Sequence, residues 1–310
     1  MNGAKSPDKA PDILISVGPE EVRVVVAVDG EPIEYRIERA GQESEMGNVH
    51  LGRVTKVVPA LDAAFVDIGG EKSGFLALSG GPRPNEGDAV VVEVIRDAEA
   101  GKGPKLALHS REWETTGMRP PRRLHHEPAL MARMLRDWQG PVGRILVDDM
   151  AAFGKLKEFC RGSRADLLPK IAHVRDGSAL ETDGVADRLE ELLADWVALP
   201  SGGRINVART AALVAIDVDT GEDADARSFE DTAVRVNSEA AAEVVRQLRL
   251  RDVKGLVVIG FVPMRARAHR ERVLAALKRA TAADPAEVAV GGFTRFGLVE
   301  LIRSRQRPRP

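Results

Sequence analysis

The chain has 310 residues, enough for two or three domains, and its 44% hydrophobic and 30% charged residues make an ordinary soluble globular profile. No apolar run reaches the roughly 18 residues of a membrane span, and the N-terminal MNGAKSPDKAPD lacks the apolar core of a signal peptide, so no membrane association is expected and the expected location is cytoplasmic. The net charge of −2 hides an asymmetry: residues 241–310 hold fifteen Lys and Arg against six Asp and Glu, which suits a polyanionic partner, although solvated arginine faces on surface helices account for it as well.

Residues 1–11 are expected to be disordered, being polar and Pro-containing with nothing to bury. Residues 12–46 begin with short apolar stretches, and VDGEP places Asp-Gly between two of them, which predicts a β-hairpin followed by a loop, AGQESEMG. Residues 47–110 form a run of short strand-like segments with glycine punctuation, HLGRVTKVV, AAFVDIGG, SGFLAL, DAVVVEVI and KLALH, which predicts a small barrel. Residues 111–127 read as a Pro- and Arg-rich connector in which His125 and His126 are exposed. From residue 128 helices alternate with strands, which argues for an α/β layer. PALMARMLRDW carries Leu130, Met134, Leu135 and Trp138 at helical spacing; RILVDD is a strand; AAFGKLKEFC is a helix. That helix holds Cys160, the only cysteine, which excludes an internal disulfide or a cysteine-rich zinc site and reads as a small apolar residue. LLPKIAHVRD holds a strand, and DGVADRLEELLADWVAL reads as one long helix ending near Pro200.

The clearest block comes last. ALVAIDVDTG and GLVVIGFVPM read as buried-type strands flanking the helix NSEAAAEVVRQLRLRDVKG, with Asn237 or Ser238 as its N-cap and Gly255 just past its end. Together they predict a β-α-β unit with parallel strands and a right-handed crossover. The helix RARAHRERVLAALKRATAADP follows, and TRFGLVELIRSRQRPRP closes the chain as a strand or helix with a basic tail.

Two constellations carry chemistry. Phe65 and Phe75 are two of only eight phenylalanines and lie in predicted barrel strands, with Arg53, Lys56, Lys72, Lys102 and Lys105 nearby. Rings on such a face stack bases and cations neutralise phosphates; the alternative is that both rings are core. Asp217 and Asp219 occupy i and i+2 of a strand and so share a face, where two carboxylates suit a cation such as Mg²⁺ and a phosphodiester substrate. The alternative is two solvated aspartates in a turn. No phosphate loop, HExxH or paired CxxC is present.

Four stretches resemble the catalytic core of the ribonuclease E/G family: GNVHLGRVTKVVPALDAAFVDIGGEKSGFLAL, LPSGGRINVARTAALVAIDVDTG, NSEAAAEVVRQLRLRDVKGLVVIGFVPM and TRFGLVELIRSR. The resemblance implies an α/β (α+β) multidomain fold, with a ribonuclease-H-like subdomain (12–46 and 128–205) interrupted by an OB-fold RNA-binding barrel (47–110) and followed by a deoxyribonuclease-I-like subdomain (206–310). It implies single-stranded RNA as partner, with Phe65, Phe75 and Lys102 as contacts. It implies Asp217 as one of two aspartates that hold a catalytic Mg²⁺. The chain departs from the pattern at Gly260, where the second metal aspartate belongs, and at Asp219, in place of an asparagine that orients water. It departs also at Pro263 and Glu287. The family's 5′-end sensor subdomain and its cysteine zinc link, CPxCxGxG, have no counterpart, so no zinc is expected and any homo-oligomer would form without that link. Two readings follow: a Mg²⁺-dependent endoribonuclease with a rearranged Asp217/Asp219 site, or a non-catalytic RNA-binding or interaction relative.

Overall fold

The computed structural model describes residues 9–78, 83–98, 101–221 and 229–304, so most of the N-terminal segment expected to be disordered and the basic tail lie outside the described residues. The chain opens with β1 (Asp12–Val17), β2 (Glu21–Val28) and β3 (Glu31–Arg39). The predicted hairpin is present. Asp29 and Gly30 join β2 to β3 with φ of +50° and +78°, and two positive φ values in a two-residue turn are what Asp-Gly supplies most cheaply.

The chain divides into two units, Met1–Ile37 with Leu130–Pro310, and Glu38–Ala129. The second unit holds β4 (Val49–Val58), β5 (Ala63–Asp67), β6 (Gly74–Ala77), β7 (Ala89–Arg96) and β8 (Lys105–Leu108). They pair in the order β5-β6-β8-β7-β4, and β4 pairs again with β5, which closes a five-stranded barrel. Every contact is antiparallel except β6 with β8, an arrangement compatible with the OB type. Val54, Ala64, Val66, Leu76, Val92, Val94 and Leu106 fill the interior. Within the stretch read as a connector, Arg122–His125 forms β9 and pairs with β4; His125 and His126 are exposed.

The remainder alternates as expected: α1 (Leu130–Asp137), β10 (Ile145–Val147), α2 (Met150–Ser163) and β11 (Ile171–His173). Strands β10 and β11 add in parallel to β1, giving the sheet β11-β10-β1-β2-β3. Cys160 is fully buried on α2, and burial holds its thiol above the usual range.

Around the third sheet the structure departs from the sequence reading at several points. Helix α3 (Val185–Leu193) stops short of Pro200, and Trp196–Ala198 forms an edge strand, β12. It pairs with β13 (Arg204–Arg209) in a hairpin whose cross-strand contacts outweigh the helical spacing. Helix α4 (Phe229–Leu250) begins well before Asn237, which sits buried in its middle. There Asn237 donates to the Val262 carbonyl (2.8 Å) and accepts from the Val262 N–H (2.9 Å), so its side chain joins the helix to the chain after the next strand and caps nothing. Gly255 does not end α4 either. The Val253 N–H donates to the Leu248 carbonyl and the Asp252 N–H to that of Arg249, with Asp252 at φ +45°, a Schellman ending with Asp252 as its left-handed residue.

Strands β14 (Val214–Asp219) and β15 (Gly255–Gly260) are parallel, as expected, with Asp217 opposite Gly260. After α5 (Arg267–Thr281), β16 (Val288–Phe293) and β17 (Leu298–Arg303) complete the sheet β12-β13-β14-β15-β17-β16. One face packs with the helices: Ile216, Val218, Val257, Ile259, Val299 and Leu301 join Val244, Leu248, Val273 and Leu277 in one core. The alternate residues are not buried. Leu256, Leu298 and Ile302 are exposed, so β14 and β15 are covered on one face only, although their apolar runs suggested burial on both. Among the described residues no helix is long and apolar enough to cross a membrane.

Candidate functional site

Period-two alternation decides where the barrel phenylalanines point. Ala64, Val66 and Leu76 turn inward, so Phe65 and Phe75 lie outward and are only partly buried. They are direct cross-strand partners, with ring centres 6.0 Å apart in an edge-to-face arrangement. The register extends the row in both directions: Lys56 on β4 faces Phe65, Lys105 on β8 faces Phe75, and Arg96 on β7 faces Lys105. Successive strands thus carry cation, ring, ring, cation, cation around the outside of the barrel, with the two rings side by side and a lysine on the strand flanking each.

Lys102 lies in the loop before β8 and is exposed. That loop is held close to β6. The Phe75 N–H donates to the Pro104 carbonyl (2.8 Å), and a Cβ at Gly103 would stand 2.1 Å from the Ser73 carbonyl oxygen. Only glycine permits that approach. The Lys72 ammonium also reaches the Gly101 carbonyl. Backbone contacts therefore keep Lys102 beside the strand that carries Phe75.

The second constellation lies on the exposed face of the six-stranded sheet. Asp217 is exposed near the carboxyl end of β14. Across the sheet it has Asn206 on one side and Gly260 on the other. A Cβ at Gly260 would stand 3.4 Å from Asp217 Oδ1, so a side chain there would meet Asp217 directly. Asp219 shares the face, but its carboxylate is already engaged. Oδ1 accepts from the Gly221 N–H (2.9 Å), and Oδ2 accepts from Arg204 Nη2 (3.0 Å) and Nε (3.3 Å). The Gly221 hydrogen bond and then Arg204 hold this carboxyl below the usual carboxylate range. Arg204 Cζ in turn lies 4.3 Å from the ring centre of Trp196.

Among the described residues, those around Asp217 do not suit the Mg²⁺ centre that the resemblance implies. Gly260 has no side chain to ligate, and both oxygens of Asp219 already accept hydrogen bonds. Among the described residues no group of three or more His, Cys, Asp or Glu is placed to hold a metal ion. Asp217 alone would supply one negative charge. The sequence reading missed Trp196, Arg204 and Asn206. The available signal was alternation: Trp196 with Ala198 and Arg204 with Asn206 are period-two pairs around the buried Val197 and Ile205.

A ribonuclease E/G family model matches residues 105–306. Ribonuclease G of Haemophilus influenzae is 27% identical over 393 aligned residues, covering 96% of this chain and 80% of that protein. Ribonuclease E of the same organism is 30% identical over 385 residues, covering 93% of this chain and 41% of that protein. Ribonuclease G of Escherichia coli strain K12 is 27% identical over 391 residues, covering 96% and 80%. These aligned lengths exceed the 310 residues of this chain, so the relatives carry segments that it lacks. With the family match over most of its length, and with a closed barrel and mixed α/β sheets in its fold, the chain belongs to the ribonuclease E/G family.

Proposed function

We propose that this protein binds single-stranded RNA on the outer face of its barrel and does not cleave it by a two-aspartate Mg²⁺ route. The row Lys56, Phe65, Phe75, Lys105 and Arg96 carries this reading. Two half-exposed rings offer stacking surfaces to unpaired bases, flanking cations meet the phosphates, and Lys102 extends the positive edge. The interruption of the β11-β10-β1-β2-β3 sheet by the barrel between β3 and β10 supports a ribonuclease-H-like subdomain, and the helix-backed β12–β17 sheet is then the deoxyribonuclease-I-like part.

Binding of an unstructured RNA oligonucleotide, followed by fluorescence anisotropy, tests the proposal. Phe65→Ala with Phe75→Ala should weaken binding by about 1–3 kcal/mol per base lost. Unchanged affinity in that double variant would place the RNA surface elsewhere, and failure to bind RNA even at low salt would favour a role in protein interaction. A second reading, an endoribonuclease using Asp217 and Asp219, draws on one observation: the exposed Asp217 stands near the carboxyl end of its strand, where sites form in α/β sheets. Incubation of the RNA with Mg²⁺ or Mn²⁺ decides between them. No cleavage is expected; cleavage that Asp217→Ala abolishes would establish the second reading.

A further inference from the structure

We propose that Trp196, Arg204 and Asp219 form an internal clamp in which the Arg204 guanidinium serves as the resident counter-cation of the Asp217–Asp219 face, so that this face does not recruit a divalent ion. The inference rests on the non-cleaving reading and assigns the residues that enforce it.

Two carboxylates on one strand face repel unless positive charge lies between or beside them. Here the protein supplies that charge itself. Arg204 is the direct cross-strand partner of Asp219, and its Nε and Nη2 both reach Asp219 Oδ2. A guanidinium is a fixed planar fork and stacks on aromatic faces, which makes arginine suited to this double engagement. Trp196 provides the aromatic face. It is 41% exposed, an anomalous position for an indole, because Val197 beside it takes the core side of β12. The indole N–H groups of Trp113 and Trp138 donate to His109 and to the Pro141 carbonyl, whereas among the described residues that of Trp196 makes no hydrogen bond. Its defined contact is the arginine, 4.3 Å from the ring centre. The Gly221 N–H fixes the opposite edge of the Asp219 carboxylate. Asp219 thus has an oxygen committed at each end, and the cation that holds it is itself held. The clamp and the missing side chain at Gly260 act in the same direction, one engaging a carboxylate and the other omitting one.

An exposed ion pair changes an equilibrium constant by at most about fivefold, and a cation over an exposed ring contributes a similar factor. Removing the clamp should therefore raise divalent affinity by about tenfold, and by no more than roughly twenty-five-fold.

The test is a Mn²⁺ titration of the full chain by electron paramagnetic resonance, with no RNA present. Wild type is expected to bind Mn²⁺ weakly, Arg204→Ala about tenfold more tightly, and Arg204→Lys in between, because an ammonium keeps the charge and loses the fork and the stacking. Adding Asp219→Asn or Asp217→Asn to the Arg204→Ala chain should abolish the gain. Trp196→Leu, which keeps the charge and removes its platform, should give an intermediate increase and serves if Arg204→Ala does not fold. Equal affinity in wild type and both clamp variants overturns the proposal. So does tight wild-type binding that Asp219→Asn removes. RNA affinity of the same proteins is measured separately: retained RNA binding with no Mn²⁺ gain defeats the clamp and leaves the barrel reading standing, whereas Asp217-dependent cleavage by wild type defeats the non-cleaving reading.

Discussion

Arg303 is 2% exposed, with its Nε and Nη2 on the two oxygens of Asp284 (2.9 and 3.0 Å) and its Nη1 on the Val253 carbonyl (2.8 Å). Removing one member of a buried pair strands the other charge and costs about 3–5 kcal/mol. Asp284→Ala should lower urea stability by that amount, whereas Glu271→Ala, which breaks the exposed pair with Arg267, should change it by about 0.5 kcal/mol or less. Gly260 poses a different question at the same scale. A carboxylate introduced by Gly260→Asp would stand beside Asp217, and two adjacent carboxylates repel without a cation. The variant should melt below wild type in chelator and regain stability with Mn²⁺, since a ligand that binds only the folded state stabilises it. A melting temperature indifferent to Mn²⁺ would show that the two side chains do not converge.

At the scale of elements, the start of α4 organises the start of α5. Glu230, in the first turn of α4, accepts from the backbone N–H groups of Arg265 (2.9 Å) and Ala266 (3.0 Å), and its carboxylate meets His269 Nδ1 at 2.9 Å. The Ala266 hydrogen bond, followed by His269 and the Arg265 hydrogen bond, brings its carboxyl down to about 2 from 4.5. A folded-state value below the unfolded one stabilises the protein above the unfolded value and loses that contribution as pH falls through the folded value. The stabilisation from Glu230 is therefore complete above about pH 4.5 and declines toward pH 2. Glu230→Gln should be less stable than wild type at pH 6, with the gap closing between pH 4.5 and 2, as thermal melts across that range would show. A gap that stays constant with pH would mean that the hydrogen bonds matter and the charge does not.

For the whole molecule, a net charge of −2 gives no general attraction to a polyanion, so RNA affinity must come from local cations. Each phosphate neutralised on a single strand contributes roughly −0.7 to the slope of log K against log salt. Lys56→Ala with Lys105→Ala removes two cations that flank Phe65 and Phe75, and the slope should become shallower by about 1.4. Anisotropy titrations at several salt concentrations measure it; an unaltered slope would exclude these lysines from phosphate contact.

Local signals in the amino-acid sequence determined much of this architecture. Asp29–Gly30 specified the hairpin because few residue pairs tolerate two positive φ values. Short strands with glycine punctuation marked the barrel, and the apolar run ending at Asp217 and Asp219 marked β14. Family resemblance singled out Phe65, Phe75 and Gly260, where composition alone left the rings ambiguous between core and surface. Tertiary pairing decided the rest. Trp196 became strand because the chain turns back at once and pairs it with β13, and those cross-strand contacts outweigh the helical spacing that the same residues satisfy. Asn237 became a bridge to Val262, although its residue type favours a cap, because the partner lies 25 positions away. Arg204 reached Asp219 only through the β13–β14 register. Spacing along the chain could place two carboxylates on one face; it could not show that an arginine from the neighbouring strand already occupied one of them.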